Sequence, residues 1–298
     1  MRQVSSAKSS KHRQANATWS IARLTLMMTV CAAAPALAQQ RPLVTEDPET
    51  VGAGRVLVEA GFDYGRDVQF PVSGLKGNLL RVPLVGVSIG LGTFAELQLD
   101  SGFYDRLSIT ERDPTAPLAN LVTATGDSTH DVDDVVIGTK IRVVPETATR
   151  PGFGVRFATR LPNASNENGI GTDTFDFTSS VLVGKTTGST RWVGNLGLAI
   201  VGDPTVGDRQ SDLLAYGISI AQAIHQGVEV VGEVNGRANL AETTHPGGES
   251  RGQIRVGLRY TQGAGRVDAG LIFGLTARDP GVGFTVGYTY VINAIKTP

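Results

Sequence analysis

Residues 251–260 alternate strictly between polar and apolar side chains, and this constrains the fold more than any other feature. The polar members are Arg251, Gln253, Arg255 and Arg259, and the apolar members are Ile254, Val256, Leu258 and Tyr260. A period of two places the two groups on opposite faces of a β-strand. The same alternation recurs in about twelve segments between residues 55 and 292, so the sequence predicts a sheet with one polar face and one apolar face.

If the apolar face of such a sheet meets lipid, the sheet must close into a barrel. Each unpaired backbone N–H or C=O group at an open strand edge would cost several kcal/mol in hydrocarbon. Arg and Glu crowd the polar face in mid-strand, while Phe, Tyr and Trp punctuate the other face. We therefore predict an all-β fold: a transmembrane antiparallel up-and-down β-barrel of about 12 strands with periplasmic termini. The alternative is a soluble β-sandwich or lipocalin-like barrel, whose apolar face points inward.

The connections between the predicted strands alternate in length. Long polar stretches occur at 66–76, 105–130, 162–174, 202–210 and 241–250, and short turns near 90–92, 187–189, 225–226 and 262–265. Outer-membrane barrels show this asymmetry, with short periplasmic turns and long external loops. Two connections fit less well, since 145–151 is long for an inner turn and 277–281 is short for an outer loop.

The N-terminus has the pattern of an export signal. A basic start precedes an apolar run at 24–34 and the small-residue triplet Ala36-Leu37-Ala38, so we expect cleavage before Gln39. A short membrane anchor or a lipoprotein modified at Cys31 are the alternatives. The expected organisation is a signal peptide at 1–38, a periplasmic segment at 39–54, the barrel at 55–292 and a tail at 293–298.

No residue pattern predicts catalysis or a cofactor. The histidines of the mature chain, His130, His225 and His245, fall in predicted loops or turns and not beside a serine on one strand face. No spacing resembles a metal site, and a formal net charge of -1 with mixed signs does not favour a nucleic-acid partner. We expect a protein that is not an enzyme, with no cofactor.

Four segments give the chain a family resemblance. They are the stretch 41–55 (RPLVTEDPETVGAGR), 133–140 (DDVVIGTK), 159–162 (TRLP) and 287–290 (GYTY). Together they resemble the outer-membrane proteins of the MetA-pathway of phenol degradation family. The resemblance implies a transporter-like barrel in the bacterial outer membrane, associated by name with aromatic compounds.

Two groups of lumen-facing side chains are candidates for function. Lys140, Arg142, Arg156 and Arg160 cluster on neighbouring strands with few carboxylates nearby and are the predicted contacts for an anionic or phenolic solute. A pairing of Glu233 opposite Arg259, and of Arg259 opposite Asp268, predicts an ion-pair network that braces the wall.

The leading functional hypothesis is passive or facilitated passage of small solutes, aromatic ones included, through a narrow lumen. A closed structural or binding barrel without an open pore is the first alternative, and an outer-membrane lipid-modifying enzyme is the second. The partners expected are outer-membrane lipid, the barrel-assembly machinery during insertion, and a small solute.

Overall fold

The computed structural model describes residues 41–294, which form one closed antiparallel sheet. Its strand segments are β1 Arg55–Phe70, β2 Leu75–Gly90, β3 Ala95–Gly102, β4 Asp105–Arg112, β5 Ser128–Asp131, β6 Val135–Val144, β7 Gly152–Leu161, β8 Asp176–Thr187, β9 Thr190–Gly202, β10 Gln210–His225, β11 Val228–Asn239, β12 Arg251–Gln262, β13 Gly265–Gly274 and β14 Val282–Asn293. Sequential neighbours pair from β6 to β14, and β1 pairs with both β14 and β2 to close the ring.

At two positions around the ring, two short strands take the place of one continuous strand. β3 and β4 lie end to end along β2, and β5 and β6 lie beside them in the same way. Counting each of these pairs as one strand gives twelve around the ring, which confirms the predicted barrel. The predicted signal peptide at 1–38 and most of the tail at 293–298 lie outside the described residues.

The break between β3 and β4 lies opposite Pro83. Proline has no N–H to donate to a ladder and is tolerated in sheets at bulges and edges. Here the ladder of β2 against β1 shifts register between Gly61 and Asp63, and Phe103 donates to the Pro83 carbonyl at 3.1 Å. The proline therefore occupies a point along β2 where the pairing with both neighbours is irregular.

The loop predicted at 66–76 is largely strand. β1 and β2 extend to a tight connection at 71–74, and the predicted loop 105–130 contains β4 and β5. A small apolar cluster stabilises these extensions, and its buried members are Val68, Leu75, Leu79 and Leu107. The segments 66–76 and 105–130, which the sequence predicted as loops, thus extend the barrel wall at this rim.

The outward and inward faces are inverted relative to a soluble protein. Large apolar side chains such as Ile218, Leu258 and Val286 are exposed on the outside, whereas Glu96 and Lys140 are completely buried inside. Charged groups are rarely buried without partners, and an exposed apolar belt of this extent is unfavourable in water. The outer face is that of a barrel embedded in an outer membrane. Among residues 41–294, no helix is long and apolar enough to cross a membrane.

The two rims of the barrel differ. One rim, called here the turn end, carries the start of β1, the end of β14 and the connections 91–94, 145–151, 188–189, 226–227 and 263–264. The opposite rim, the loop end, carries the longer connections 113–127, 162–175, 203–209, 240–250 and 275–281. The asymmetry predicted from the sequence is present, with two exceptions: 71–74 is short for the loop end, and 145–151 is as long as the loop-end connections 203–209 and 275–281.

Candidate functional site: the lumen and its internal strap

Residues 41–51, named the strap here, lie inside the barrel. The sequence analysis expected the segment 39–54 to be periplasmic, but the strap contacts lumen-facing side chains from β13 around to β3. It then passes Gly90 and enters β1, with Gly54 donating to the Gly90 carbonyl at 3.4 Å. The strap follows the inner wall instead of leaving the rim because wall side chains pair with each of its charged residues and with several of its backbone N–H groups.

The first part of the strap is held by β11, β12 and β14. Arg41 donates to the Thr285 hydroxyl at 2.6 Å and to the Val286 carbonyl at 3.0 Å. The Glu233 carboxylate accepts the backbone N–H groups of Val44 and Thr45 at 2.8 Å each. A carboxylate that accepts two consecutive amides forms charge-assisted bonds, which are stronger than neutral ones.

The middle of the strap is anchored through Glu46. Its backbone exchanges two hydrogen bonds of 2.7 Å with the Asn195 side chain. Its carboxylate lies 3.3 Å from Lys140 Nζ and 2.9 Å from Arg156 Nε. Lys140 is fully buried and also pairs with Glu96 at 3.0 Å. One strap carboxylate therefore neutralises two lumen cations.

The last part of the strap repeats this logic. Asp47 forms a bidentate pair with Arg191 at 2.7 and 2.9 Å, and Glu49 pairs with Arg142. The Val51 amide donates to Glu96 at 2.7 Å. Acidic strap side chains meet basic wall side chains along the whole of this stretch.

Glycines in the wall make room for the strap. A β-carbon at Gly217 would lie 2.8 Å from the Thr45 hydroxyl, and one at Gly184 would lie 2.9 Å from the Pro48 ring. Real side chains do not approach so closely, so a β-carbon at either position requires the facing strap side chain to move or to change. Part of the glycine content of the chain, 37 of 298 residues, thus serves this close approach of the strap to the wall.

The predicted solute contacts all have carboxylate partners. Lys140, Arg142 and Arg156 are paired with the strap, and Arg160 is paired with Asp134 and Asp176. Solute contact by these four side chains stays a prediction. Their positions assign them first to holding the strap and the wall together.

The predicted ion-pair network has a different register. Asp268 lies opposite Arg259, as predicted, but Arg259 lies opposite Glu229 and Glu233 lies opposite Arg255. The pairing of Glu233 with Arg259 is therefore wrong by four residues. Arg259 instead donates to the Arg41 carbonyl at 2.7 Å, which ties it to the strap.

Sequence analysis did not identify the strap as part of the site. The signal was nevertheless present, because Glu46, Asp47 and Glu49 concentrate negative charge in a segment with no strand periodicity. The predicted barrel wall carries a basic cluster in Lys140 and Arg142 with too few carboxylates of its own. Charge complementarity between residues 41–51 and the barrel wall is therefore the sequence pattern from which an internal segment could have been predicted.

A cavity of about 560 Å³ lies in the lumen between the strap and the loop end. Strap residues Val44, Thr45 and Glu46 line its floor. Its walls carry charged side chains from several strands together with an apolar patch around Phe70 and Ile170. Pockets for small organic molecules typically have about 300–1,000 Å³, so the cavity has the volume for one such molecule.

The turn end provides a pH-dependent contact next to the strap. Burial alone would raise the pKa of Glu146, but the Thr186 N–H, at 2.7 Å, and the Arg191 guanidinium stabilise its ionised form and hold the pKa below the usual range. A lowered folded pKa stabilises the turn above the unfolded pKa of about 4.3, and the stabilisation is lost as pH falls through the folded pKa.

We therefore expect acid to loosen the contact between turn 145–151 and β8. The measurement is the hydrogen-exchange protection of the Thr186 amide in the protein and in the Glu146→Gln variant at each pH. The ratio of the two should fall towards one below about pH 4. A ratio that does not change with pH would contradict the assignment of this contact to the ionised carboxylate.

Comparison with known proteins supplies the family. The sequence profile of the family described as "Putative MetA-pathway of phenol degradation" matches residues 39–290. The chain belongs to this family. No curated protein matches it in sequence. The family match covers the strap as well as the strands, so both belong to the pattern that defines its members.

The fold of this family member has solved counterparts. The crystal structure of an outer membrane channel from Pseudomonas putida F1 is similar with a TM-score of 0.60 and 13% identity, over 83% of this chain and 98% of that one. The translocator domain of autotransporter NalP from Neisseria meningitidis (TM-score 0.42, 14% identity, 79% and 87% covered) and the NanC porin (0.47, 10%, 81% and 100%) are more distant. At these identities the likeness concerns the fold.

The histidines of this family member lie apart from one another. His130 is in β5, where its ring lies 5.8 Å from that of Tyr104, His225 ends β10, and His245 is in the connection 240–250. Within residues 41–294, no group of three or more His, Cys, Asp or Glu side chains is arranged to hold a metal ion.

Proposed function

We propose that the protein is an outer-membrane channel of transporter-like type, which lets small solutes pass through a lumen narrowed by the strap. The observation that carries this proposal is the polar cavity of about 560 Å³ above the strap. A twelve-stranded ring is only moderately wider than the eight-stranded barrels that side chains fill completely. The strap and the paired cations therefore set the bore, and the solutes that fit are small.

Aromatic compounds are the proposed solute class. The family is described by a pathway of phenol degradation, and the cavity combines apolar wall residues such as Phe70 and Ile170 with polar ones. Such a cavity suits a molecule with a small ring and one polar group. The protein is proposed to act without catalysis, as a mature chain that starts at Gln39 and is inserted by the barrel-assembly machinery.

Conductance in planar lipid bilayers tests the proposal. Purified, folded protein is expected to give single-channel events smaller than those of a sixteen-stranded porin measured in the same salt. Liposome swelling should be faster with phenol and benzoate than with disaccharides. If a protein shown to be folded by heat-dependent gel migration gave neither single-channel events nor liposome swelling, the channel proposal would be wrong.

The strap itself favours one alternative, a binding barrel without an open pore. Its ion pairs with Lys140, Arg156 and Arg191 hold it against the wall at several points. If the strap never moves, the cavity is closed towards the turn end and the barrel binds a solute without passing it on. Solute binding without conductance would identify this case.

A further inference from the structure

Two arginines in the cavity wall lack the carboxylate partners that the others have. Arg81 lies 3.4 Å from Asp105, and the remaining paired arginines of the wall are Arg156, Arg160 and Arg255. Arg237 and Arg251 also line the cavity, but neither forms an ion pair with a carboxylate of residues 41–294. They differ from their neighbours in charge balance while sharing the same environment.

The sheet register brings these two side chains together. Arg237 of β11 is the direct cross-strand partner of Arg251 of β12, and both side chains face the lumen. Like charges directly opposite one another destabilise a sheet. The cost is larger in a confined lumen, where each charge has lost part of its hydration.

Backbone carbonyls satisfy only part of the hydrogen-bonding capacity of the two arginines. Arg237 donates to the Gly247 carbonyl at 3.0 Å and Arg251 to the Arg278 carbonyl at 3.0 Å. Arg237 Nε is buried without a hydrogen-bond partner. These bonds orient the guanidinium groups but do not neutralise them.

Among residues 41–294, the acidic groups on the same rim form no ion pair with Arg237 or Arg251, although Asp279 Oδ1 is buried in the same cavity without a hydrogen-bond partner. Asp279 accepts the Gly252 N–H at 2.8 Å and the Thr276 hydroxyl at 2.6 Å, and Asp176 is paired with Arg160. Glu249 lines the cavity, yet its Oε2 has no hydrogen-bond partner. Because neither Asp279 nor Glu249 forms an ion pair with Arg237 or Arg251, the two guanidinium groups keep N–H groups that can donate to a bound carboxylate.

The cavity that the arginine pair lines also has an apolar side. Arg278, whose carbonyl accepts from Arg251, also donates to Gln69 at 3.4 Å, and Gln69 precedes Phe70 in the cavity wall. Phe70, Val72, Leu79 and Ile170 form this apolar side of the cavity. A ligand bound to the arginines therefore has apolar surface within reach of its other end.

We propose that Arg237 and Arg251, juxtaposed across β11 and β12, bind the carboxylate of a small amphipathic solute whose apolar body packs towards Phe70. Arginine is suited to this because its planar group binds carboxylates through two parallel hydrogen bonds. The bound anion removes the repulsion between the two arginines. The site names the solute class of the proposed channel, and it rests on that function only for the passage of the bound solute.

Equilibrium binding to the full mature protein in detergent tests the site without requiring transport. Benzoate is the probe, phenol tests the need for charge, and inorganic phosphate tests the need for an apolar body. Calorimetry is expected to show benzoate bound at least tenfold more tightly than either, which corresponds to about 1.4 kcal/mol. Phenol or phosphate bound as tightly as benzoate would overturn the proposal.

Three variants locate the binding. Arg237→Gln and Arg251→Gln should each weaken benzoate binding about tenfold or more, and the double variant should abolish it. Arg81→Gln is the matched control, because it removes one positive charge from the same cavity and should retain most of the affinity. Equal losses in Arg81→Gln, or undiminished binding in the double variant, would show that no such site exists.

Folding of the variants has its own readout. Since the double variant removes a like-charge pair, its unliganded Tm is expected to rise, and benzoate should raise the Tm of the unsubstituted protein and of Arg81→Gln but not that of the double variant. A benzoate-induced shift that persists in the double variant would overturn the site. A protein that binds benzoate through these arginines but never conducts would keep the site and overturn the channel.

Discussion

Lys140→Met is expected to lower the free energy of unfolding by about 3–5 kcal/mol, because it leaves the buried Glu96 carboxylate without its cation and leaves Glu46 with Arg156 alone. Lys140 is completely buried between Glu46 of the strap and Glu96 of β3, at 3.3 and 3.0 Å. Without the ammonium group, the two carboxylates also repel one another. Urea unfolding in detergent micelles, followed by the fluorescence of Trp192, measures the loss.

A matched substitution at the rim separates this effect from the general cost of losing a lysine. Lys76 pairs at 2.7 Å with Glu111, whose side chain is 66% exposed, so Lys76→Met should leave the free energy of unfolding almost unchanged. Glu96→Gln combined with Lys140→Met should recover part of the loss, since it removes one of the stranded charges. A Lys140→Met protein as stable as the Lys76→Met protein, but with altered solute selectivity, would instead favour solute contact by Lys140.

The ring of strands was accessible from sequence because lipid imposes a rule on every strand. Residues such as Val256 and Leu258 meet hydrocarbon while Arg255 and Arg259 face the lumen, and this alternation is local. Closure then follows from the cost of an open edge, which needs no knowledge of the partner strand. These two constraints sufficed for the strand number and the direction of each face.

The register between neighbouring strands and the height of the barrel wall were harder to predict from the sequence. A shift of four residues between β11 and β12 leaves every side chain on its own face, so alternation does not distinguish Glu233 opposite Arg259 from Glu233 opposite Arg255. The connection 240–250 decides between them through contacts such as that of Asn239 with Gly248. β4 and β5 were missed because they are short, because the apolar residues of β4 meet a satellite cluster instead of lipid, and because β5 has no apolar residue.

The strap was missed because nothing local in 41–51 indicates its place. Its partners come from the distant parts of the chain, for instance Asn195 for Glu46 and Glu233 for Thr45. Only the complementary charges of the strap and the wall indicate where the strap lies. They can be compared only after the strands have been assigned to a closed barrel. The function of the lumen thus depends on long-range pairing that strand periodicity does not encode.

Joining the strap to the wall is expected to lock the channel in a low-conductance state. A β-carbon built at Gly217 lies 3.5 Å from Thr45 Cβ, within the range for a disulfide. Cys31 is the only cysteine in the sequence, so Thr45→Cys with Gly217→Cys introduces the only pair in a chain that starts at Gln39. Formation of the bond, seen as a shift in gel mobility on reduction, tests the position of the strap directly.

Single-channel recordings before and after reduction test what the strap does. If strap movement widens the lumen, the oxidised protein should stay in its smallest conductance level, and a reductant should restore larger openings in the same bilayer. Each single-cysteine variant serves as the control, because it carries the same change in side chain without the link. Equal conductance in the oxidised and reduced states would mean that solutes pass beside a fixed strap, and the bore would then be set by the ion-paired wall around it.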